Sequence, residues 1–149
     1  MIEVVGRPVV DVVEDIIEAL IKQGTRCVRA NTDICLYDDG NGKHCAVGFI
    51  VPPEWDVSDI DSDVAEMIDL IEETRIDAVQ RSETTDILDW MRDHLEVLLC
   101  LQMIHDYDES ADSSIVDIRI THLGHLLDRP LPRLTEWREM LVTRLQSPL

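Results

Sequence analysis

An acidic segment with helical periodicity constrains the fold of this chain more than any other feature. Residues 54–117 contain 20 Asp and Glu against three Arg, a net charge of −17, whereas the rest of the chain has a net charge of −1. Apolar residues recur in this segment every three or four positions, which is the spacing of one helix face. The pattern predicts a helix from Ser62 or Asp61 to about Val79, and a longer one from Thr84 or Thr85 to about His105.

Both predicted helices separate charge from apolar side chains. The first places apolar residues on one arc and carboxylates on the other half, and the second carries a carboxylate stripe at i, i+3, i+7 and i+10. Like charges three or four residues apart cost about 0.2–0.5 kcal/mol per pair. Few Arg residues are present to relieve this cost, which indicates a surface built to be negative. We predict that a partner binds the carboxylates of Asp59, Asp61, Asp63, Glu66, Asp69, Glu72, Glu73, Asp77, Asp86, Asp89, Asp93 and Glu96.

The flanking sequence predicts one further helix, a hairpin and two C-terminal helices. Residues 8–23 form a helical pattern that begins at Pro8 and stops at Gly24. Residues 34–37 and 45–51 flank the turn sequence DDGNGKH and predict two paired strands, ended by Pro52-Pro53. Residues 115–127 fit a strand or a helix, of which we favour the helix, and residues 134–145 form a last amphipathic helix.

The predicted fold class is α+β, mostly helical with one small antiparallel β-hairpin sheet. We expect a single domain over residues 1–149. It has an N-terminal helix and hairpin (1–53), an acidic helical part (54–117) and C-terminal helices (118–149).

The composition limits which cellular compartments and which binding partners fit this chain. No apolar run reaches the roughly 18–20 residues of a membrane span, and no signal peptide is visible. The four irregularly spaced Cys indicate reduced thiols. We therefore predict a cytoplasmic protein. The negative charge argues against direct binding of nucleic acid or an anionic membrane. Adaptation to high salt is an alternative source of acidity: two Lys against eleven Arg favour it, whereas fifteen Ile and the uneven charge oppose it.

Rows of carboxylates on rigid helices approximate the sign and spacing of DNA phosphates. Duplex DNA carries about one charge per 1.7 Å of axis, and a protein that grips DNA with Lys and Arg could bind such a surface instead. The sequence therefore predicts an acidic DNA mimic that is not an enzyme and needs no cofactor. A homodimer, with the apolar C-terminal helix as its interface, would lengthen the mimic.

Other chemistries are weakly supported. Asp59, Asp61 and Asp63 resemble half of a calcium loop, but its glycine and its final glutamate are missing. A zinc site could draw on His44 and three cysteines, although no C-x-x-C pair occurs. His105-Asp106, with Asp108 and His94, is compatible with a metal-dependent phosphohydrolase, and the Arg residues outside the acidic segment could build a pocket for a nucleotide signal. These two functions remain as alternatives.

Two short segments resemble small, mostly uncharacterised proteins, many of them phage-encoded. Residues 43–55 (KHCAVGFIVPPEW) resemble K-x-C-A-[IV]-G-x-L-I-P-D-E followed by an aromatic residue, with Pro53 in place of Asp, and residues 98–106 (LLCLQMIHD) resemble L-L-x-x-L-Q-x-x-H-D. We interpret the small residues Cys45, Ala46 and Gly48 as a packing device on which a helix lies closely. Phages encode small acidic inhibitors of host DNA-acting enzymes, so the resemblance implies a host target, with DNA gyrase as the leading one.

Overall fold

Six α-helices make up most of the part of the chain that the computed structural model describes, namely residues 1–29, 35–58, 60, 62–74, 82–105, 113–129, 131 and 133–146. Two short 3-10 helices, Val47–Ile50 and Pro53–Trp55, lie between the first and second α-helices. The α-helices are α1 (Val9–Gln23), α2 (Val64–Thr74), α3 (Ser82–Asp93), α4 (Leu95–His105), α5 (Ser113–Leu127) and α6 (Leu134–Gln146).

The predicted antiparallel β-hairpin sheet is wrong, since the described residues contain no β-strand. Two isolated bridges, Val28 with Cys35 and Asp38 with His44, are the β pairing found there. The turn itself forms: the backbone N–H of Asp39 donates to the Lys43 carbonyl at 3.2 Å, and that of Lys43 donates back to the Asp39 carboxylate at 3.0 Å. Aspartate side chains thus satisfy backbone donors that a strand ladder would use, and the turn does not extend into paired strands.

The second predicted strand forms a 3-10 helix because its backbone is held by other elements. The Val47 N–H donates to the side-chain oxygen of Gln102 on α4 at 3.3 Å. Gly48 lies so close to the backbone of Tyr37 that an added Cβ would be 1.9 Å from the Tyr37 carbonyl oxygen. Gly48 is therefore a close-packing residue, as its motif suggested, but it contacts a loop backbone rather than a helix. The Gln102 contact joins the two segments that carry the family resemblance.

The predicted N-terminal helix is confirmed as α1. Pro8 lies just before its first residue, and Gly24 ends it with a φ of 72°, its N–H donating to the Leu20 carbonyl at 3.0 Å. A left-handed glycine at this position is a common helix stop. The side chains that α1 buries are those of Val10, Val12, Val13, Ile16, Ile17 and Leu20.

Helix α4 is the centre of the packing. It contacts α2, α3, α5 and the 3-10 helix Val47–Ile50. Its buried side chains therefore point in several directions rather than along a single face. The predicted C-terminal helices are confirmed as α5 and α6, and α6 packs on α1 and α5. Trp137 and Leu141 on α6 are fully buried. The apolar face of the last helix is thus used inside the protein rather than left for a dimer.

The described cysteines and helices agree with two simpler expectations. Cys27, Cys35, Cys45 and Cys100 form no disulfide. Among the helices that the structure describes, none has the length and apolar character needed to cross a bilayer.

Candidate functional site: the acidic surface of α2 and α3

Helix α2 begins one or two residues later than predicted, and an acidic residue caps it. The Asp63 carboxylate accepts a hydrogen bond from the Glu66 N–H at 2.8 Å, so Asp63, rather than Ser62 or Asp61, is the cap. A carboxylate at this end is also favoured by the helix dipole. Asp63 therefore has a structural role in addition to its place on the predicted binding surface.

The predicted separation of faces on α2 is confirmed. Val64, Met67, Ile68 and Ile71 are at most 1% exposed and join the main hydrophobic core. The carboxylates of Glu66, Asp69, Glu72 and Glu73 are exposed on the other side. Because the apolar face is fixed in the core, the acidic face points outward on a rigid element.

The second predicted helix is divided in two. Helix α3 ends at Asp93 and α4 begins at Leu95, with a turn at His94 between them. Hydrogen bonds continue across this turn, from the His94 N–H to the Trp90 carbonyl and from the Leu98 N–H to the His94 carbonyl. Asp86, Asp89, Asp93 and Glu96 are all exposed, as predicted.

Arg92 links the two acidic helices. Its guanidinium on α3 lies 2.5 Å from a carboxylate oxygen of Glu72 and 4.0 Å from one of Asp69, both on α2. The hydrogen bond to Glu72 raises the Arg92 pKa, against some desolvation, and the charges of Glu72, Asp69 and Asp89 raise it further. Part of each carboxylate row therefore lies next to the other, which the sequence could not show.

We call the exposed carboxylates of residues 62–74 and 82–105 the acidic surface. These segments contain ten Asp and Glu, all exposed, and their one Arg is Arg92. The ten are Asp63, Glu66, Asp69, Glu72, Glu73, Glu83, Asp86, Asp89, Asp93 and Glu96.

Two acidic residues near this surface were missed by the sequence analysis. Glu83 lies in the first turn of α3, three residues before Asp86, and its place on the stripe could have been read from that spacing. Glu3 comes from the N-terminal segment, which is tied to α3 by a hydrogen bond from the Trp90 indole to the Arg7 carbonyl at 3.4 Å. A cavity of about 180 Å³ lies there, lined by Met1, Glu3, Val4, Val5, Glu83, Asp86 and Ile87.

Three arginines elsewhere in the structure are paired with nearby acids. Arg7 lies 2.6 Å from Asp15, and Arg133 lies 3.6 Å from Glu18. Arg138 forms a bidentate contact with Asp117, which lowers the pKa of that carboxyl. The acidic surface is different, since among the described residues its ion pairs are those of Arg92.

Several predicted residues lie outside the described part of the chain. Asp59, Asp61 and Asp77 of the predicted partner surface are among them, as are Arg75, Arg81, Asp106 and Asp108. The calcium-loop and phosphohydrolase alternatives therefore depend on residues that the structure does not describe. His105 is fully buried, and the described residues contain no cluster of three or more His, Cys, Asp or Glu that could hold a metal ion.

No family model matches this chain, and no curated protein or solved structure is significantly similar to it. The resemblance of residues 43–55 and 98–106 to phage-encoded proteins therefore stays a prediction.

Proposed function

We propose that the protein is a DNA mimic whose acidic surface occupies the Lys- and Arg-lined DNA-binding surface of a DNA-acting enzyme. The observation that carries this proposal is the joining of two carboxylate rows by Arg92 on helices whose other faces lie in the core. Such an arrangement presents fixed negative charge without the cost of ordering a loop. The protein would act in the cytoplasm of a host cell, by excluding DNA rather than by catalysis.

The spacing of the rows supports the comparison with DNA. From Glu66 to Glu73, α2 rises about 10 Å and carries four exposed carboxylates, or about one per 3–4 Å. Helix α3 carries three carboxylates from Asp86 to Asp93 over a similar rise. One strand of duplex DNA has about one phosphate per 3.4 Å. Two neighbouring rows thus approach the charge density that a DNA-binding groove is built to meet.

The cavity beside Asp86 adds a feature suited to a basic side chain. Met1, Val4, Val5 and Ile87 supply its apolar lining, while Glu3, Glu83 and Asp86 supply carboxylates. Lys and Arg pack their aliphatic stems on apolar surface while their charged ends remain at a polar rim. We expect one Lys or Arg of the target to enter here.

Binding of a nucleotide signal is less well supported by the described residues. Such a ligand needs unpaired cationic side chains around a pocket, because phosphate groups are bound through Arg and Lys. Arg7, Arg133 and Arg138, which lie outside the acidic segment, are each paired with a carboxylate, whereas Arg119 and Arg129 form no ion pair with another described residue.

A test with two charge-matched variants separates the acidic surface from total charge. The first variant neutralises the carboxylate stripe of α3 and the first turn of α4 with Asp86→Asn, Asp89→Asn, Asp93→Asn and Glu96→Gln. The control neutralises four carboxylates on other helices or their ends, with Asp11→Asn, Glu14→Gln, Asp128→Asn and Glu139→Gln. DNA gyrase is the first target to assay, by its supercoiling activity and by direct binding of the labelled protein.

The proposal predicts that the stripe variant loses about 100-fold in affinity, whereas the control stays within a few-fold of the original protein. Duplex DNA should compete for the target, and affinity should fall steeply between about 50 and 200 mM salt. Equal losses in the two variants would show that net charge alone drives binding. If gyrase does not bind, a panel of other DNA-acting enzymes tests the wider proposal, which fails if none of them is bound in competition with DNA.

A further inference from the structure

An apolar groove lies between α4 and α5, next to the acidic surface, with which it shares Glu96. Its cavity of about 290 Å³ has Leu99, Cys100 and Met103 on the α4 side and Ile118 on the α5 side. Glu96, Arg119 and His122 complete its lining. The groove therefore has a mostly apolar floor with charged groups at its rim.

The apolar side chains of this groove are unusually open to solvent. Ile118 is 68% exposed, the highest value among the large hydrophobic side chains that the structure describes, and Met103 is 54% exposed. Leu99 is half-buried beside them. Adjacent exposed apolar side chains around a groove are a common sign of a binding surface, whereas single exposed ones are ordinary.

Two side chains of opposite charge line the groove, one from each helix. Glu96 lies on α4 and Arg119 lies on α5, and neither forms an ion pair with another described residue. The Arg119 guanidinium donates to the Met103 carbonyl at 2.9 Å, and both residues line the groove. A partner for this surface should offer an apolar side chain, a cation for Glu96 and an anion for Arg119.

We propose that the occupant is a second copy of this chain, related by a two-fold axis. In a two-fold interface the same patch faces itself, so that residue i contacts residue j of the other copy and the reverse. Ile118 of each copy then packs into the apolar groove of the other. Glu96 meets the partner subunit's Arg119, and Arg119 meets the partner subunit's Glu96. One patch thus supplies all three of the groups that the groove requires.

This dimer joins the acidic surfaces of two copies, because Glu96 also ends the α3 stripe. Formation of this dimer should respond to salt differently from target binding. Each copy carries a net charge of −18, and salt screens the repulsion between two such copies. Dimerisation through an apolar groove should therefore strengthen as salt is raised, whereas binding to a basic target should weaken.

The experiment is sedimentation equilibrium of the full chain without any target, at low and high salt. We expect a monomer–dimer equilibrium whose dissociation constant falls as salt is raised. Ile118→Asp should raise that constant about 10- to 100-fold or more, since the buried apolar side chain is lost from both copies of the interface. The matched control is Val5→Asp, which places the same charge at another exposed apolar position.

Charge exchange tests the contacts at the rim. Glu96→Arg alone should weaken the dimer, and the double variant Glu96→Arg with Arg119→Glu should restore it, because the pairs re-form between copies. Circular dichroism confirms that each variant keeps its helical content. A chain that remains monomeric up to about 1 mM, beyond the range of a specific interface, overturns the proposal. The dimer proposal is also overturned if Ile118→Asp and Val5→Asp weaken the dimer equally. Neither result tests target binding.

Discussion

Arg92 stabilises the contact between α2 and α3 and also reduces the negative charge of the acidic surface. Replacing it with glutamine should therefore change folding stability and target binding in opposite directions. The variant Arg92→Gln keeps much of the side-chain length while removing the charge. We expect a lower free energy of unfolding and a higher affinity for a basic target.

The size of the stability change follows from the geometry of the ion pairs. Two unit charges 4 Å apart interact by about 1 kcal/mol in water and about 4 kcal/mol near a protein surface. The Arg92 side chain is 36% exposed, and those of Glu72 and Asp69 are 41% and 71% exposed. Solvent screening at such exposure reduces the measured value, so we expect a loss of about 0.5–1 kcal/mol at low salt. This corresponds to a fall in Tm of about 1–4 °C for a chain of this size.

The matched control is Arg133→Gln. Arg133 is 40% exposed and lies 3.6 Å from Glu18 and 4.0 Å from Glu136, so its environment is similar but away from the acidic surface. Urea unfolding at low and high salt measures stability, and titration with the target measures affinity. Both variants should lose similar stability, with smaller losses at high salt.

The binding results discriminate between a functional surface and a merely solvated one. For a functional surface, Arg92→Gln should bind the target several-fold more tightly, whereas Arg133→Gln should bind unchanged. An unchanged or weaker affinity for Arg92→Gln, with its fold intact, would refute the idea that the carboxylates around Arg92 meet cations of the target.

Four further predictions concern packing and titration. Gly48→Ala should destabilise the protein by about 2 kcal/mol or more in urea unfolding, since the new Cβ would lie 1.9 Å from a backbone carbonyl oxygen. Gly124→Ala in α5, with nothing within 4 Å of the new Cβ, should instead stabilise it by about 0.5–1 kcal/mol. Burial raises the pKa of the Cys100 thiol from 9.0 to about 11, opposed by a nearby guanidinium. Its contribution to stability is therefore present below pH 9.0 and lost as pH rises towards 11, and Cys100→Ser should remove this part of the alkaline decline in unfolding free energy. The Arg138 contact lowers the pKa of Asp117 below 3.8, so its stabilisation is lost as pH falls through that lowered pKa. Asp117→Asn should consequently lessen the acid dependence of unfolding, and an unchanged acid transition would contradict the assignment.

The helices were predictable because their signals are local. The apolar spacing of α1, its start at Pro8 and its stop at Gly24 each depend on residues a few positions apart. The division of α2 and α3 into buried and exposed faces depends on the same short-range periodicity. The exposure of the predicted carboxylates on these helices could thus be read from the sequence.

The sheet was predicted wrongly because the sequence pattern that indicates it is local, whereas strand pairing also depends on contacts with distant residues. Asp-Gly and Asn-Gly pairs correctly indicate a turn, but extended pairing also requires the flanking arms to remain free for a ladder. Here one arm is held by Gln102, 55 residues away from Val47. A preference for strand structure was overridden by tertiary contacts that no local pattern announces.

The distribution of ion pairs gives the strongest argument that the acidity is specific to one surface. Arg7, Arg133 and Arg138 neutralise acids on α1, α5 and α6, so the fold has the means to relieve like-charge repulsion. On the acidic surface, Arg92 is the one arginine among the described residues, and it lies where it holds α2 and α3 together. General adaptation to salt would be expected to spread acids evenly, whereas residues 54–117 carry a net charge of −17 and the rest of the chain −1. A surface that keeps its carboxylates unpaired, except where a pair positions its two helices, is the arrangement that a cationic partner requires.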